Sequence, residues 1–357
     1  MVSLFDSVPF AHGPAMKNRF MLAPLTNQQS HVDGTLSDDE YKWLTMRAQG
    51  GFGLTMTCAS HVQAIGQGFA GQLGCFADQH LEGLARLSNG IHAADSLAFV
   101  QLHHAGRRSP KEIIGETPVC PAIDEKAGAR AMTTAEVEEM IEAFIVAAVR
   151  SENAGYDGVE LHGAHDYVIC QFLNAELNTR SDQYGGSFEN RSRVLFDIVD
   201  GVRERCGADF NLAVRLSPER FGMKTSEIVE VFGRLVDGGK VDLIDMSLWD
   251  CFKEAADEDF AGQRLIDIFA NLERGNTRLA VAGKLYSAAD TQRAVDAGAD
   301  IVAIGRAAVT NHDFPILAKD ATFVMRELPV PREVLLSEGL SESFVSYMGN
   351  WPGFVGE

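Results

Sequence analysis

Three side chains able to hold or move a proton stand close together in Gly158-Val-Glu-Leu-His162-Gly-Ala-His165-Asp-Tyr167. A neutral imidazole can donate an N–H to a carbonyl oxygen or bind a metal. A phenol is ordinarily protonated at neutral pH and can deliver a proton. The apolar residues before His162 are what a strand would present as it hands over to a helix. On residue type alone, two such histidines are more often ordinary rim residues than ligands, so their meaning depends on what the rest of the chain places opposite them.

Eight short apolar runs recur along the chain: Arg19–Leu25, Gly53–Cys58, Leu97–Leu102, Gly158–Leu161, Asn211–Leu216, Asp242–Met246, Arg278–Ala282 and Asp300–Ile304. Continuous apolar runs of this length suit strands buried on both faces. Between them lie segments of helical period: 37–49, 78–94, a stretch from Thr133 to about Ala154, 187–205, 225–237, 257–274 and 287–297. Ser37 with Glu40, and Thr133 with Glu136, have the spacing of capping boxes. Strict alternation demands parallel strands with right-handed crossovers, and eight units close a (β/α)8 TIM barrel, an α/β fold. No GxGxxG follows the first run, and no linker-like stretch divides the chain, so the expectation is a single barrel domain over residues 1–357. Residues 1–19 should cover its bottom and 326–357 form a C-terminal tail. The long connection Gly106–Met132 follows the third strand and should hang over the active face as a lid.

Active sites of such barrels collect at the C-terminal ends of the strands. The residues there are Pro24, Thr26, Ala59, Gln101, His103, His162, Arg215, Ser247, Gly283, Gly305 and Arg306. The last units end in Ala282-Gly283-Lys284 and Ile304-Gly305-Arg306, exposing backbone N–H groups beside a guanidinium, which suits a phosphate. The earlier units supply a hydroxyl, an amide, imidazoles and a cation, which suit a flat polar ring and an anionic intermediate.

Acidic residues number 50 against 31 basic, so nucleic acid and anionic membrane are not expected partners. The six cysteines are scattered singly, which argues against zinc and iron–sulfur sites, and no metal is expected. Neither a signal peptide nor an apolar run long enough to span a bilayer is apparent, so the expected location is the cytoplasm.

Six stretches carry a resemblance: Asn18-Arg-Phe to Ala23-Pro-Leu-Thr26, Gln101-Leu-His-His-Ala-Gly-Arg107, Glu160-Leu-His-Gly-Ala-His-Asp-Tyr167, Arg180 to Arg191, Val214-Arg215 and Ile304-Gly-Arg306. Together they resemble the old yellow enzyme family of FMN-dependent ene-reductases and NAD(P)H:flavin oxidoreductases, over nearly the whole chain. The resemblance implies non-covalent FMN as cofactor and NADH or NADPH as reductant. Thr26 would bond near the flavin C4 carbonyl, Gln101 would hold the pyrimidine edge, and Arg215 would lie by N1 and the C2 carbonyl. Pro24 and Ala59 would complete the cofactor wall, while Ser247, Gly283, Lys284, Gly305 and Arg306 would hold the phosphate end. His162 and His165 would donate to the carbonyl oxygen of an α,β-unsaturated substrate, Tyr167 would protonate its α-carbon, and His103 would line the same pocket.

The pattern mixes subgroups. Thr26 and Gln28 stand where the thermophilic-like subgroup has cysteine and tyrosine, and His165 stands where the classical subgroup usually has asparagine. His103 occupies a position that is often small or a tryptophan. Arg180 to Arg191 reads as a structural brace. The apolar tail Tyr347-Met-Gly-Asn-Trp351-Pro-Gly-Phe354 either packs on its own barrel or docks on a neighbouring subunit in a homo-oligomer. Larger relatives append a second flavin domain and an iron–sulfur cluster; without clustered cysteines, that version is not expected here. Two other functions stay open: a metal-dependent barrel hydrolase or isomerase using His162 and His165, and a flavin-binding barrel without turnover.

Overall fold

The computed structural model describes residues 2–356. The apolar runs form eight parallel strands: β1 (Phe20–Leu22), β2 (Leu54–His61), β3 (Leu97–His103), β4 (Gly158–Gly163), β5 (Asn211–Leu216), β6 (Leu243–Ser247), β7 (Arg278–Ala282) and β8 (Ile301–Ile304). Neighbours in sequence are neighbours in space, and the sheet closes where Phe20, Met21 and Leu22 pair with Val302, Ala303 and Ile304. The fold is a (β/α)8 barrel.

The strands face apolar neighbours on both sides. Outward-facing residues pack with Phe144, Ile198, Phe232 and Phe269 of the surrounding helices, and Met21, Leu54, Phe99, Leu243 and Ile301 meet inside the barrel. Val8 and Met16 bridge to each other and join that interior cluster. His12 Nδ1 bonds Asp242 Oδ1 at 2.7 Å, and Arg278 Nε donates to the Pro9 oxygen at 2.7 Å. Both anchors lie where β6 and β7 begin, so the N-terminal segment covers the bottom of the barrel, as its sequence predicts.

The main helices are α1 (Asp38–Gln49), α2 (Leu81–His92), α3 (Thr134–Asn153), α4 (Phe188–Arg205), α5 (Thr225–Asp237), α6 (Leu265–Ala270), α7 (Ala288–Asp296) and α8 (Arg306–Thr310). Thr133 and Glu136 form a complete capping box before α3. Ser37 caps α1 through the Glu40 N–H, but the Glu40 carboxylate turns inward to Asn27 and Ser30, so the second half of the expected box is absent. The helix expected over 257–274 shrinks to α6, because Gly262 takes φ +78° and Glu254 bridges Arg264.

The connection after β3 folds into a turn of helix at Lys111–Ile114 and a two-stranded piece, Val119–Cys120 with Arg130–Ala131. Arg107 pairs with Asp124 at 2.5 Å and with Asp166 at 2.8 Å, tying this connection to the loop after β4. Arg180 reaches the Pro121 and Met132 oxygens at 2.9 and 2.5 Å, and Arg191 reaches Leu173 and Glu227 at 2.6 and 2.7 Å. The Arg180–Arg191 segment therefore braces the lid and α4.

The C-terminal tail packs on its own barrel. Helix Glu342–Met348 sets Phe344 edge-on to Trp43 of α1 at 4.9 Å, and Val330–Pro331 pairs with Val355–Gly356.

Candidate active site at the carboxyl ends of the strands

His162 is the penultimate residue of β4, and the loop behind the strand carries His165 and Tyr167. His165 and Asp166 take φ of +60° and +62°, a left-handed conformation uncommon outside glycine that His and Asp adopt more readily than most residues. That turn brings the three rings together. His162 lies 5.1 Å from His165 and 4.8 Å from Tyr167, edge to face in both cases. His103, from the end of β3, meets the Tyr167 ring at 4.3 Å. It is fully buried and held at Nδ1 by Gln72 at 3.0 Å, so it backs the phenol. Above them the Arg108 guanidinium lies 4.8 Å from the Tyr167 centroid and donates to the His165 oxygen at 2.7 Å.

Burial holds His162, His165 and His103 well below the ordinary imidazole range; neighbouring imidazoles add to this at His103, and at His162 so do Arg215 and Arg108. All three are neutral at physiological pH. The Ala164 N–H points at His162 Nδ1 at 3.3 Å, so the proton of this neutral ring sits on Nε2. Nε2 faces His165 Nδ1 at 3.4 Å, and His165 Nε2 lies 2.7 Å from Ser247 Oγ. The cluster thus holds one weakly engaged ring N–H on His162, a second on His165 Nδ1 when Ser247 donates to its Nε2, and a phenol beside them.

Below the histidines runs a buried polar layer from four adjacent strands. Gln101 Nε2 donates to Glu160 Oε1 at 2.7 Å, and Arg215 Nε lies 3.0 Å from Asp245 Oδ2. Burial and the nearby Asp245 push Glu160 up to about 8, with Arg215 pulling it back, and burial raises Asp245 as well. Arg215 Nε, Glu160 Oε2 and both Asp245 oxygens have no hydrogen-bond partner in the protein. Unspent polar groups of this kind are expensive unless something else meets them.

Arg215 opens into a cavity of about 270 Å³ that is also lined by Pro24, Gly283, Lys284, Gly305 and Arg306. A side chain at Gly283 would strike the Asp250 backbone nitrogen at 2.8 Å, and its φ of +153° suits glycine. A Cβ at Gly305 would meet no protein atom closer than 3.6 Å, so it is the cavity that a side chain there would obstruct. Exposed backbone, the Arg306 guanidinium and the Arg215 cation fit an anionic, planar cofactor with a phosphate tail. Lys284 lines the same space with its ammonium engaged by Asp250 at 3.0 Å. Ala59 gives its carbonyl to Gln72 at 2.6 Å. The Ser247 hydroxyl lies against His165 Nε2, so only its backbone is left for the phosphate end.

Residues 3–322 match the NADH:flavin oxidoreductase / NADH oxidase family. The chain belongs to that family. It is 32% identical over 328 residues to the probable NADH-dependent flavin oxidoreductase YqiG of Bacillus subtilis, covering 89% of this chain and 88% of the relative. Against the NADPH dehydrogenase of Bacillus pumilus it is 33% identical, covering 86% and 92% of the two chains. The structure superposes on the old yellow enzyme homologue from Zymomonas mobilis with a TM-score of 0.81 at 26% identity, over 96% and 99% of the chains. Three longer relatives are matched over 32%, 49% and 34% of their length. Membership makes this an NAD(P)H-dependent flavin oxidoreductase with FMN as its cofactor, in the old yellow enzyme group.

Sequence reasoning missed part of what surrounds this flavoenzyme's site. Tyr347, carried in by the tail, faces the Thr26 hydroxyl and lines, with Pro24, Arg306 and Trp351, an apolar cavity of about 240 Å³. Nothing in the spacing of the tail marks it. Glu160 and Asp245 were visible as carboxyls inside apolar runs, which is a readable signal. Among the described residues no group of three or more His, Cys, Asp or Glu is placed to hold a metal ion, and no helix is long and apolar enough to cross a membrane.

Proposed function

We propose that this protein reduces the activated C=C bond of α,β-unsaturated carbonyl compounds, with the chain acting as one FMN-binding barrel unit. The chemistry FMN supplies when bound is hydride transfer from NADH or NADPH to the β-carbon of the substrate. Arg215 stands where a cation would offset negative charge on the reduced ring, and Gln101, steered by Glu160, where an amide would grip its polar edge. Pro24 borders the same space, Thr26 lines the adjoining cavity, and Ala59 would add to the wall from the end of β2. Gly283, Gly305 and Arg306 offer the phosphate site, with Lys284 at its margin.

His162 and His165 hold the substrate carbonyl. Because both rings are neutral, each contributes one N–H without bringing charge into the ground state, and their bonds strengthen as the oxygen gains charge. The long 3.4 Å contact between the two rings is the one a substrate oxygen would replace. Tyr167 then gives its hydroxyl proton to the α-carbon. His103 and Arg108 fix the phenol from two sides.

The observation that carries this reading is the edge-to-face packing of His162 on Tyr167 at 4.8 Å beside the Arg215 cavity. Its test is the visible spectrum of the purified protein with and without a phenol. A yellow protein that develops a long-wavelength charge-transfer band supports the reading; a colourless one, or a yellow one indifferent to phenol, removes it.

A further inference from the structure

Carboxylates outnumber cations on this chain, 50 to 31, and surface arginines such as Arg86, Arg130, Arg205, Arg234 and Arg264 each find one. Three at the mouth of the barrel do not: Arg306, which lines the Arg215 cavity, and Arg108 and Arg220, which lie outside it. Among the described residues Arg220 makes neither a hydrogen bond nor an ion pair through its side chain, and Arg108 bonds only the His165 main-chain oxygen.

The guanidiniums of Arg108 and Arg220 lie on aromatic rings. Arg220 sits 4.1 Å from the Trp249 centroid and 5.5 Å from that of Phe221, and Arg108 sits 4.8 Å from Tyr167. A guanidinium stacked through its face keeps its edge N–H groups available, and that edge matches a carboxylate two bonds at a time. Trp249 is 62% exposed and also lines the Arg215 cavity, so this platform stands at the border between that cavity and solvent. It also borders the reacting centre, because the Phe221 ring stands 6.1 Å from His165.

The platform is held in an unfavourable backbone shape. Arg220, Phe221 and Trp249 have φ of +68°, +52° and +63°, none of them glycine. Strain gathered on adjacent rim residues persists where the surroundings fix it and commonly marks ligand clamps. The charge also reaches the carbonyl site: burial is the main reason His165 is held below the ordinary imidazole range, and Arg215, Arg108 and, least of all, Arg220 add to it. Arg215 is matched by Asp245, which leaves the positive charge of the other two unanswered.

We propose that Arg220, stacked on Trp249, binds a carboxylate of the substrate, so that the preferred substrates are α,β-unsaturated carbonyl compounds bearing an anionic group beyond the carbonyl held by His162 and His165. This rests on the enone-reductase reading above and narrows it. Arg108, on the other side of His165, adds to the attraction. A neutral enone would gain nothing from the platform.

The test uses the FMN-loaded enzyme, the acid (E)-4-oxopent-2-enoate and its neutral methyl ester. Arg220→Gln should lower kcat/KM for the acid by about tenfold, the scale of one lost charge-assisted contact, while kcat/KM for the ester and KM for NADH and NADPH stay at wild-type values. Equal loss on acid and ester, or loss on neither, overturns the proposal. A raised KM for the dinucleotides in place of an acid-specific loss also overturns it, by assigning the guanidinium to their phosphates. If the wild-type enzyme reduces neither compound, the enone reading itself fails and this inference falls with it; reduction of the ester alone overturns only the inference.

Discussion

Gln101 Nε2 donates a 2.7 Å hydrogen bond to Glu160, a carboxyl that burial and Asp245 push up to about 8. Between its ordinary 4.5 and about 8 the folded protein therefore holds a proton that the unfolded chain releases. Folding stability should decline as pH rises through that window and level off above it. Glu160→Gln keeps the shape and the acceptor for Gln101 but cannot titrate. Denaturant unfolding at a series of pH values should show a flatter profile for the variant, and profiles of equal slope would sink the idea.

Tyr167→Phe keeps the ring against His103 and His162 and removes only the hydroxyl. Reoxidation of the reduced enzyme by an enone should slow by about a hundredfold or more, the usual scale for a lost general acid, while reduction by NAD(P)H continues. Stopped-flow measurement of the two half-reactions separates these outcomes. Equal slowing of both would remove Tyr167 as the proton donor.

His162→Ala deletes one of the two N–H donors at the carbonyl site. Binding of a phenol, followed by its charge-transfer band, should weaken by about 10- to 100-fold, as expected for a hydrogen bond to a charged oxygen. The cofactor should remain bound, because Arg215 and the glycine cradle are untouched. Unaltered phenol affinity would place the oxygen elsewhere.

Phe344→Ala opens a cavity against Trp43, where the tail meets α1. Loss of a fully buried phenylalanine costs about 3–5 kcal/mol. Chemical denaturation should register a loss of that order, and limited proteolysis should cut the variant ahead of residue 344 sooner than the wild type. A stability within about 0.5 kcal/mol of wild type would mean that the tail is held by other contacts.

The barrel was readable because its strands are short apolar runs buried on both faces, and because glycines and helix caps punctuate the units between them. Two local readings failed for physical reasons. The segment 257–274 has helical period, yet Gly262 and the Glu254–Arg264 bridge turn its first half into a loop. Glu40 has capping-box spacing, yet its carboxylate finds better partners in Asn27 and Ser30. The site residues followed from strand ends and family motifs, since sheet register fixes which side chains reach the rim. Contacts made by loops and by the tail were not legible. Tyr347 reaches Thr26 across most of the sequence, and Arg220 finds Trp249 from a different βα loop, so neither meeting leaves a periodic signal.

The closure of the barrel also sets an order of events in synthesis. On one side Met21 and Leu22 pair with Leu54 and Thr55 of β2, but on the other side Phe20, Met21 and Leu22 find partners only in Val302, Ala303 and Ile304, and the cavity that Thr26 lines also needs Tyr347. A nascent chain cannot shut this ring until Ile304 has emerged from the ribosome, or finish that cavity until Tyr347 has. Until then β1 carries an open parallel edge.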